Sequence, residues 1–179
     1  DLAELEQGLT QVDAVQKPYL LVDVDGVLLP FVFWSAPPGF VLHTVRDSNG
    51  RNQDVWLNPA HGLWLRKLGK QFELVWATGW EHAAPRLLGP LLGLPAMPVI
   101  EFTQPPVLGV PLWKLRDVDA YVADQPVAWI DDDLDIAVER WASRRAPPTL
   151  LIKTESTLGL TRDHVSELIE FAQRVANAG

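Results

Sequence analysis

The chain of 179 residues has no cysteine and no long apolar run. Without cysteine it can form neither a disulfide framework nor a metal site with thiolate ligands. The absence of cysteine is compatible with the reducing cytoplasm, where we expect the protein to be located. No apolar run approaches the roughly 18 residues that a membrane-spanning helix needs, so we expect no membrane partner. The chain begins at Asp1 rather than Met, which leaves open an upstream segment such as a removed targeting peptide.

Basic residues are in deficit, because Lys and Arg number 15 against 23 Asp and Glu and the net charge is −8. A sequence-independent grip on nucleic acid needs a basic face, so this charge argues against binding along a polynucleotide. It does not argue against a short contact with one strand end. With 47% hydrophobic residues, the chain is long enough for one domain, residues 1–179, with a sizeable core.

Two clusters of aspartates each follow a short apolar run. Asp23 and Asp25 come directly after residues 19–22, and a triple aspartate at 131–133 comes directly after residues 127–130. Because side chains alternate along an extended chain, Asp23 and Asp25 would share a face if the strand continued. The alternative is an ordinary acidic turn, since Asp and the Gly that follows are common turn formers.

A hydroxyl and an ammonium complete the pattern. Thr78 follows a third apolar run, residues 72–77, and Lys114 lies near the start of a predicted helix, residues 113–122. Short apolar runs separated by helical patterns predict an α/β fold with a parallel sheet and crossover helices. Ligands of such sheets bind at the carboxyl ends of the strands, where the aspartates and the threonine fall.

This order, Asp-x-Asp-Gly, then strand-Thr, then Lys, then strand-Asp-Asp, resembles the haloacid dehalogenase (HAD) superfamily of phosphohydrolases over residues 19–153. Residues 76–82, with residues 57–62 upstream, also resemble a small bacterial subgroup named for Swiss Army Knife RNA repair proteins. The resemblance implies a three-layer Rossmann-like sheet with helices on both faces. Residues 30–58, with a turn signal at 47–50, predict a β-hairpin flap in place of a full cap domain.

The resemblance also implies catalytic roles for four residues. Asp23 would be the nucleophile that forms an aspartyl-phosphate, and Asp25 would be the general acid and then the general base. Thr78 would donate to the transferred phosphoryl group. Lys114 would be the fixed positive charge that holds nucleophile and phosphate together.

Crowded carboxylates also argue for a bound cation. Two unit charges about 4 Å apart repel by roughly 4 kcal/mol at an effective dielectric near 20. Hard oxygen ligands and the lack of cysteine favour Mg²⁺ over zinc. By resemblance the ligands would be the Asp23 carboxylate, the Asp25 backbone carbonyl and an acid from Asp131 and Asp132, with Asp132 favoured as the direct ligand.

Candidates for substrate binding lie near Thr78. Gly79 and Trp80 follow it directly, and the indole of Trp80 could stack on a base. His82 is a further candidate, as is His61 upstream. The small flap leaves the site open, which favours a nucleotide or a nucleic-acid end as the substrate and is compatible with a homodimer. Because the acidic charge argues against a long polynucleotide, another small phosphomonoester remains an alternative.

Several local elements are also predicted. Helical patterns occupy residues 1–16 and 81–92, and a strand is expected near residues 99–102. Asp133 is expected to cap the helix that follows the triple aspartate.

Two other classes of protein compete with a phosphohydrolase. A HAD-like binding or regulatory domain could keep the fold without turnover, but every motif position is filled, which argues against it. A P-loop nucleotide-binding protein is suggested by Gly62 and Gly69-Lys70. The spacing does not fit, and Gln71 stands where Ser or Thr is needed.

Overall fold

The computed structural model describes residues 16–32, 34–105 and 112–178. Its centre is a four-stranded parallel sheet of β1 (Tyr19–Val22), β4 (Glu73–Trp76), β5 (Val127–Asp131) and β6 (Thr149–Lys153). The strands lie side by side in the order β4-β1-β5-β6. The predicted parallel sheet is therefore confirmed, whereas the helix predicted at residues 1–16 lies almost entirely outside the described residues.

Helices connect the strands and cover both faces of the sheet, as predicted. Their bounds are α1 (Pro59–Leu68), α2 (Gly89–Leu92), α3 (Leu112–Val122), α4 (Ile136–Arg144) and α5 (Arg162–Ala178). None of them, within the described ranges, is both long enough and apolar enough to cross a membrane.

Because side chains alternate in direction along each strand, the two faces of the sheet pack into two separate hydrophobic cores. Leu20 of β1 points to one face, where it joins the cluster of buried residues that includes Leu65 of α1 and Leu168 of α5. Leu21 points to the other face and joins Val118 of α3, together with residues of α4. Successive side chains of a strand point to opposite faces, so a strand covered on both sides is apolar throughout. The result is the predicted three-layer arrangement.

An antiparallel hairpin lies between β1 and α1. Its strands are β2 (Val41–Arg46) and β3 (Asn52–Leu57). The Asp47 carboxylate fixes the turn by accepting hydrogen bonds from the backbone N–H groups of Asn49 and Arg51, each at 2.8 Å. The inward-facing side chains of the hairpin are buried in the core that contains Leu20 and Leu65. They are Val45, Val55 and Leu57.

One local prediction is confirmed in outline and one was wrong. Residues 83–92 are helical, as predicted for residues 81–92, but the segment Ala84–Leu88 is π-helical and leads into the short α2. Pro90 has no backbone N–H to donate, so a regular α-helix is interrupted there. The strand expected at residues 99–102 is a single bridge from Val99 to Trp76, because β4 ends at Trp76 and offers no further partner.

His61 of α1 is a core residue. Its Nε2 donates to the backbone carbonyl of Leu160 at 2.9 Å, and its ring packs between Phe40 and Trp64. The other ring nitrogen, Nδ1, is buried and has no hydrogen-bond partner among the described residues. Burial lowers the pKa of His61 to about 4, because the charged imidazolium would lose its hydration.

The contribution of His61 to stability should therefore be lost as the pH falls from about 6.5 towards 4. In that window the unfolded histidine binds a proton and the folded one does not, so acid favours the unfolded state. At pH 4.5 the loss due to His61 should be about 2–3 kcal/mol. Urea unfolding at pH 7 and pH 4.5 should show a smaller loss in His61→Gln than in the parent. His82→Gln, at an exposed histidine, is the control, and an unchanged loss in His61→Gln would contradict the assignment.

Candidate active site

Polar side chains meet at the carboxyl edge of the sheet. The last residue of β1 pairs with β4 on one side and β5 on the other, so the three strands end nearly level. Asp23 directly follows β1, Thr78 follows β4 after one intervening residue, and Asp131 ends β5. All three side chains are buried. The sheet thus brings together residues that are far apart in the chain.

Lys114 lies between two of these carboxylates. Its Nζ is 2.9 Å from Asp23 Oδ2 and 2.6 Å from Asp131 Oδ2. The side chain extends from the first turn of α3 and is buried. A lone lysine is usually solvated, so a buried one bridging two aspartates is held there by their charges.

The charge of this cluster is not balanced. Burial raises the pKa of Asp23 to about 7, the ammonium of Lys114 opposes this, and the Asp131 carboxylate adds to it. Burial alone would lower the pKa of Lys114, but the two carboxylates outweigh burial and raise it. One ammonium cannot neutralise two buried carboxylates, so a further cation would favour the ionised form of Asp23.

Asp132 brings a third carboxylate to the cluster. Carboxylate oxygens of Asp23, Asp131 and Asp132 all lie within 4.8 Å of one another. Asp131 is already bonded through both oxygens, because Oδ2 accepts from Lys114 and Oδ1 accepts from the backbone N–H of Asp133 at 2.9 Å. The trio offers the hard oxygen ligands that Mg²⁺ prefers, and the residues present therefore fit such an ion.

Gly26 makes this approach possible. Its φ is +70°, a left-handed conformation that favours glycine, and a Cβ at this position would collide with the carboxylate of Asp132. The Thr154 hydroxyl donates to the Gly26 carbonyl at 2.7 Å and so ties the end of β6 to this loop. Thr154 was not predicted from the sequence, although it directly follows the last strand of the sheet.

Asp25 occupies the open side of the site. Trp80 Nε1 donates to Asp25 Oδ2 at 3.0 Å, and the backbone N–H of Trp80 donates to Thr78 Oγ1 at 3.2 Å. Gly79 lies between Thr78 and Trp80 in the same turn. Loss of hydration raises the pKa of Asp25, and the indole hydrogen bond opposes this. A carboxyl group at this position can therefore exchange a proton while staying accessible to solvent.

A cleft of about 340 Å³ opens beside Asp25. Trp80 lies on one wall and residues 53–56 of β3 lie on another, and residues 29–32 complete it. The hairpin thus lies at the mouth of the site. Its position could not be predicted from the sequence, because hairpin patterns do not specify how the hairpin packs.

Other sequence candidates lie elsewhere. His82 is exposed, and its Nε2 is 2.7 Å from a carboxylate oxygen of Glu101.

Asp133 is not the N-terminal cap of α4, contrary to prediction. Asp135 is the cap, accepting from the backbone N–H groups of two residues in the first turn at 2.9 and 3.1 Å. The turn closed by Asp131 keeps residue 133 out of the helix, which begins at Ile136.

The parallel three-layer sheet and its buried Asp-Lys-Asp cluster define a domain of the HAD superfamily, which implies a hydrolase. Residues 19–165 match the family described as the HAD domain in Swiss Army Knife RNA repair proteins. The chain belongs to this family, and the resemblance noted from its motifs is confirmed. No curated protein is similar enough to the chain to count as a match.

Proposed function

We propose that the chain is a Mg²⁺-dependent phosphohydrolase that cleaves a phosphomonoester through an aspartyl-phosphate on Asp23. The observation that carries this proposal is the position of Lys114 Nζ, which is within 3 Å of both Asp23 and Asp131. A carboxylate attacks a phosphate dianion only if positive charge lies beside it. Lys114 supplies that charge in a buried setting.

The first step forms the intermediate. A carboxylate oxygen of Asp23 attacks the phosphorus, and the bond from phosphorus to the leaving oxygen breaks. Asp25 gives its proton to that oxygen, so the products are an aspartyl-phosphate and a free alcohol. The raised pKa of Asp25 supports this role, since the carboxyl must be protonated when the leaving group departs.

The second step restores the protein. Asp25, now a carboxylate, takes a proton from water as the water oxygen attacks phosphorus. The bond between phosphorus and Asp23 breaks, and inorganic phosphate leaves. The Thr78 hydroxyl donates a hydrogen bond to a phosphoryl oxygen in both steps, and Lys114 balances the charge that develops.

Asp23, Asp132 and the backbone carbonyl of Asp25 would hold the Mg²⁺. When bound, the ion would neutralise charge on the phosphoryl oxygens and so permit approach of the nucleophile. The hydrogen bonds that occupy both oxygens of Asp131 support Asp132 as the direct ligand. Asp131 would instead hold Lys114 in place.

The substrate would be a nucleotide or a nucleic-acid end. The open cleft beside Asp25 and the indole of Trp80 support a flat leaving group, and the family is named for RNA repair proteins. The competing function is binding or regulation without turnover. Hydrolysis of p-nitrophenyl phosphate separates the two: the proposal requires release of phosphate with Mg²⁺ and none with EDTA, and a well-folded chain inactive under both conditions would favour the binding domain.

Asp132→Asn should weaken the response to Mg²⁺. Loss of one anionic ligand should raise the Mg²⁺ concentration for half-maximal hydrolysis by at least about tenfold. Asp133→Asn removes the same charge from the exposed neighbour and should leave this concentration within about twofold of the parent value. Equal shifts in the two variants would mean that only the overall charge matters, which would contradict Asp132 as a ligand.

A further inference from the structure

The cleft beside Asp25 lies where a leaving group must go. Asp25 forms part of its wall, and in the proposed function Asp25 protonates the leaving oxygen. The alcohol portion of the substrate must therefore lie on this side of the site. At about 340 Å³ the cleft is at the small end of the roughly 300–1,000 Å³ that ligand sites span, which suits one compact group.

Three aromatic side chains line this cleft. Phe31, Trp56 and Trp80 contribute to three different parts of it. Phe31 is 49% exposed, and the indoles of Trp56 and Trp80 are half-buried, with Trp80 also packing against the main core. Aromatic faces open to solvent in a concave site provide surfaces on which a flat ring can stack.

The polar side of the cleft carries negative charge only. Asp54 and Gln53 of β3 lie on it, and the lining found among the described residues includes no Lys, Arg or His. The Asp54 carboxylate is held in place by the Thr44 hydroxyl, which donates to Oδ1 at 2.7 Å. A second phosphate in this cleft would face the carboxylates of Asp54 and Asp25 without a counter-charge. Amino and N–H groups of a base would instead find acceptors.

We propose that this cleft is a leaving-group site for a nucleoside that carries no second phosphate. The substrate class is then a nucleoside monophosphate rather than the phosphorylated end of a polynucleotide, whose terminal nucleoside carries a further phosphate. The base stacks on the aromatic walls, Phe31 among them, and Asp54 excludes an additional anionic group. This inference rests on the proposed function and extends it to specificity.

Matched adenosine substrates test the role of Asp54. The kcat/KM for adenosine 3′- or 5′-monophosphate, whichever is higher, should exceed that for adenosine 3′,5′-bisphosphate by at least about tenfold. Asp54→Asn keeps an oxygen that can accept from Thr44 and should reduce this ratio severalfold. Glu167→Gln removes the same charge from the exposed face of α5 and should leave the ratio unchanged. Equal kcat/KM for mono- and bisphosphate, or a ratio that Asp54→Asn does not change, would overturn the proposal.

Stacking is tested separately at Phe31. Phe31→Leu should raise the KM for the preferred adenosine monophosphate about tenfold, whereas Phe31→Tyr, which keeps the aromatic face, should stay near the parent value. Equal KM values for the two variants would contradict the proposed stacking of the base on Phe31.

A reference substrate separates failure of this inference from failure of the chemistry. Without hydrolysis of p-nitrophenyl phosphate in Mg²⁺, the proposed function itself would fail. If that substrate is cleaved but adenosine monophosphates are no better than glycerol 3-phosphate, only the nucleoside site is wrong. Equal or better cleavage of a 3′-phosphorylated oligonucleotide would identify a nucleic-acid end as the substrate instead.

Discussion

Replacing Asp23 by asparagine should lower kcat for p-nitrophenyl phosphate by at least about a thousandfold, because the amide cannot form the phosphoryl intermediate. The variant should still fold, since asparagine has the same shape and Lys114 keeps its bond to Asp131. Burial raises the pKa of Asp23 to about 7, so the ionised carboxylate contributes little to folding near neutral pH. Without metal, the melting temperature should therefore equal or exceed that of the parent.

The measurement pairs steady-state hydrolysis with thermal unfolding. Asp133→Asn, at an exposed aspartate of the same loop, is the matched control and should retain most of the activity. If Asp23→Asn hydrolyses the substrate at a rate within about tenfold of the parent, Asp23 is not the nucleophile. If the parent is also inactive with Mg²⁺, the binding-domain alternative is favoured.

Replacing Lys114 by methionine should destabilise the protein by about 3–5 kcal/mol at pH 7 without metal. Methionine keeps most of the length and apolar volume of the side chain, so the main change is the loss of its charge. Asp23 and Asp131 would then be buried with no cation between them. Lys114 lowers the pKa of Asp23, so this pKa should rise further in the variant, and the destabilisation should grow as the pH is raised above about 7.

Urea unfolding checks this prediction. Lys70→Met, at an exposed lysine, should change the free energy of unfolding by no more than about 0.5 kcal/mol. The Lys114→Met change should also cost less in an Asp23→Asn background, because one of the two unpaired carboxylates is absent. A cost below about 1 kcal/mol in the parent background would show that Lys114 is not the counter-charge of this cluster.

The sheet could be predicted from the sequence because it is encoded locally. A strand buried on both faces must be apolar throughout, as residues 19–22 and 127–130 are, and polar residues directly after such strands must lie at one edge. This rule placed Asp23, Thr78 and Asp131 together. The last strand is apolar only at residues 150–152 and ends in Lys153, so the rule did not select Thr154, which holds the Gly26 loop.

Other features depend on competition between neighbouring segments. Asp135 rather than Asp133 caps α4, because the Asp131 carboxylate accepts a hydrogen bond from the backbone N–H of Asp133 and holds that residue in the preceding turn. The walls of the cleft depend on how the hairpin packs against the loop after β1, and alternation within β3 does not specify that. Asp54 and Phe31 were therefore not recognised as site residues from the sequence.

A crystal structure with Mg²⁺ and beryllofluoride, which mimics a phosphoryl group on a carboxylate, tests the central claim most directly. We expect beryllofluoride bonded to a carboxylate oxygen of Asp23, within hydrogen-bond distance of Thr78 and Lys114. The Mg²⁺ should contact Asp23 and Asp132. Beryllofluoride bonded to another residue, or Mg²⁺ bound away from these aspartates, would contradict the account.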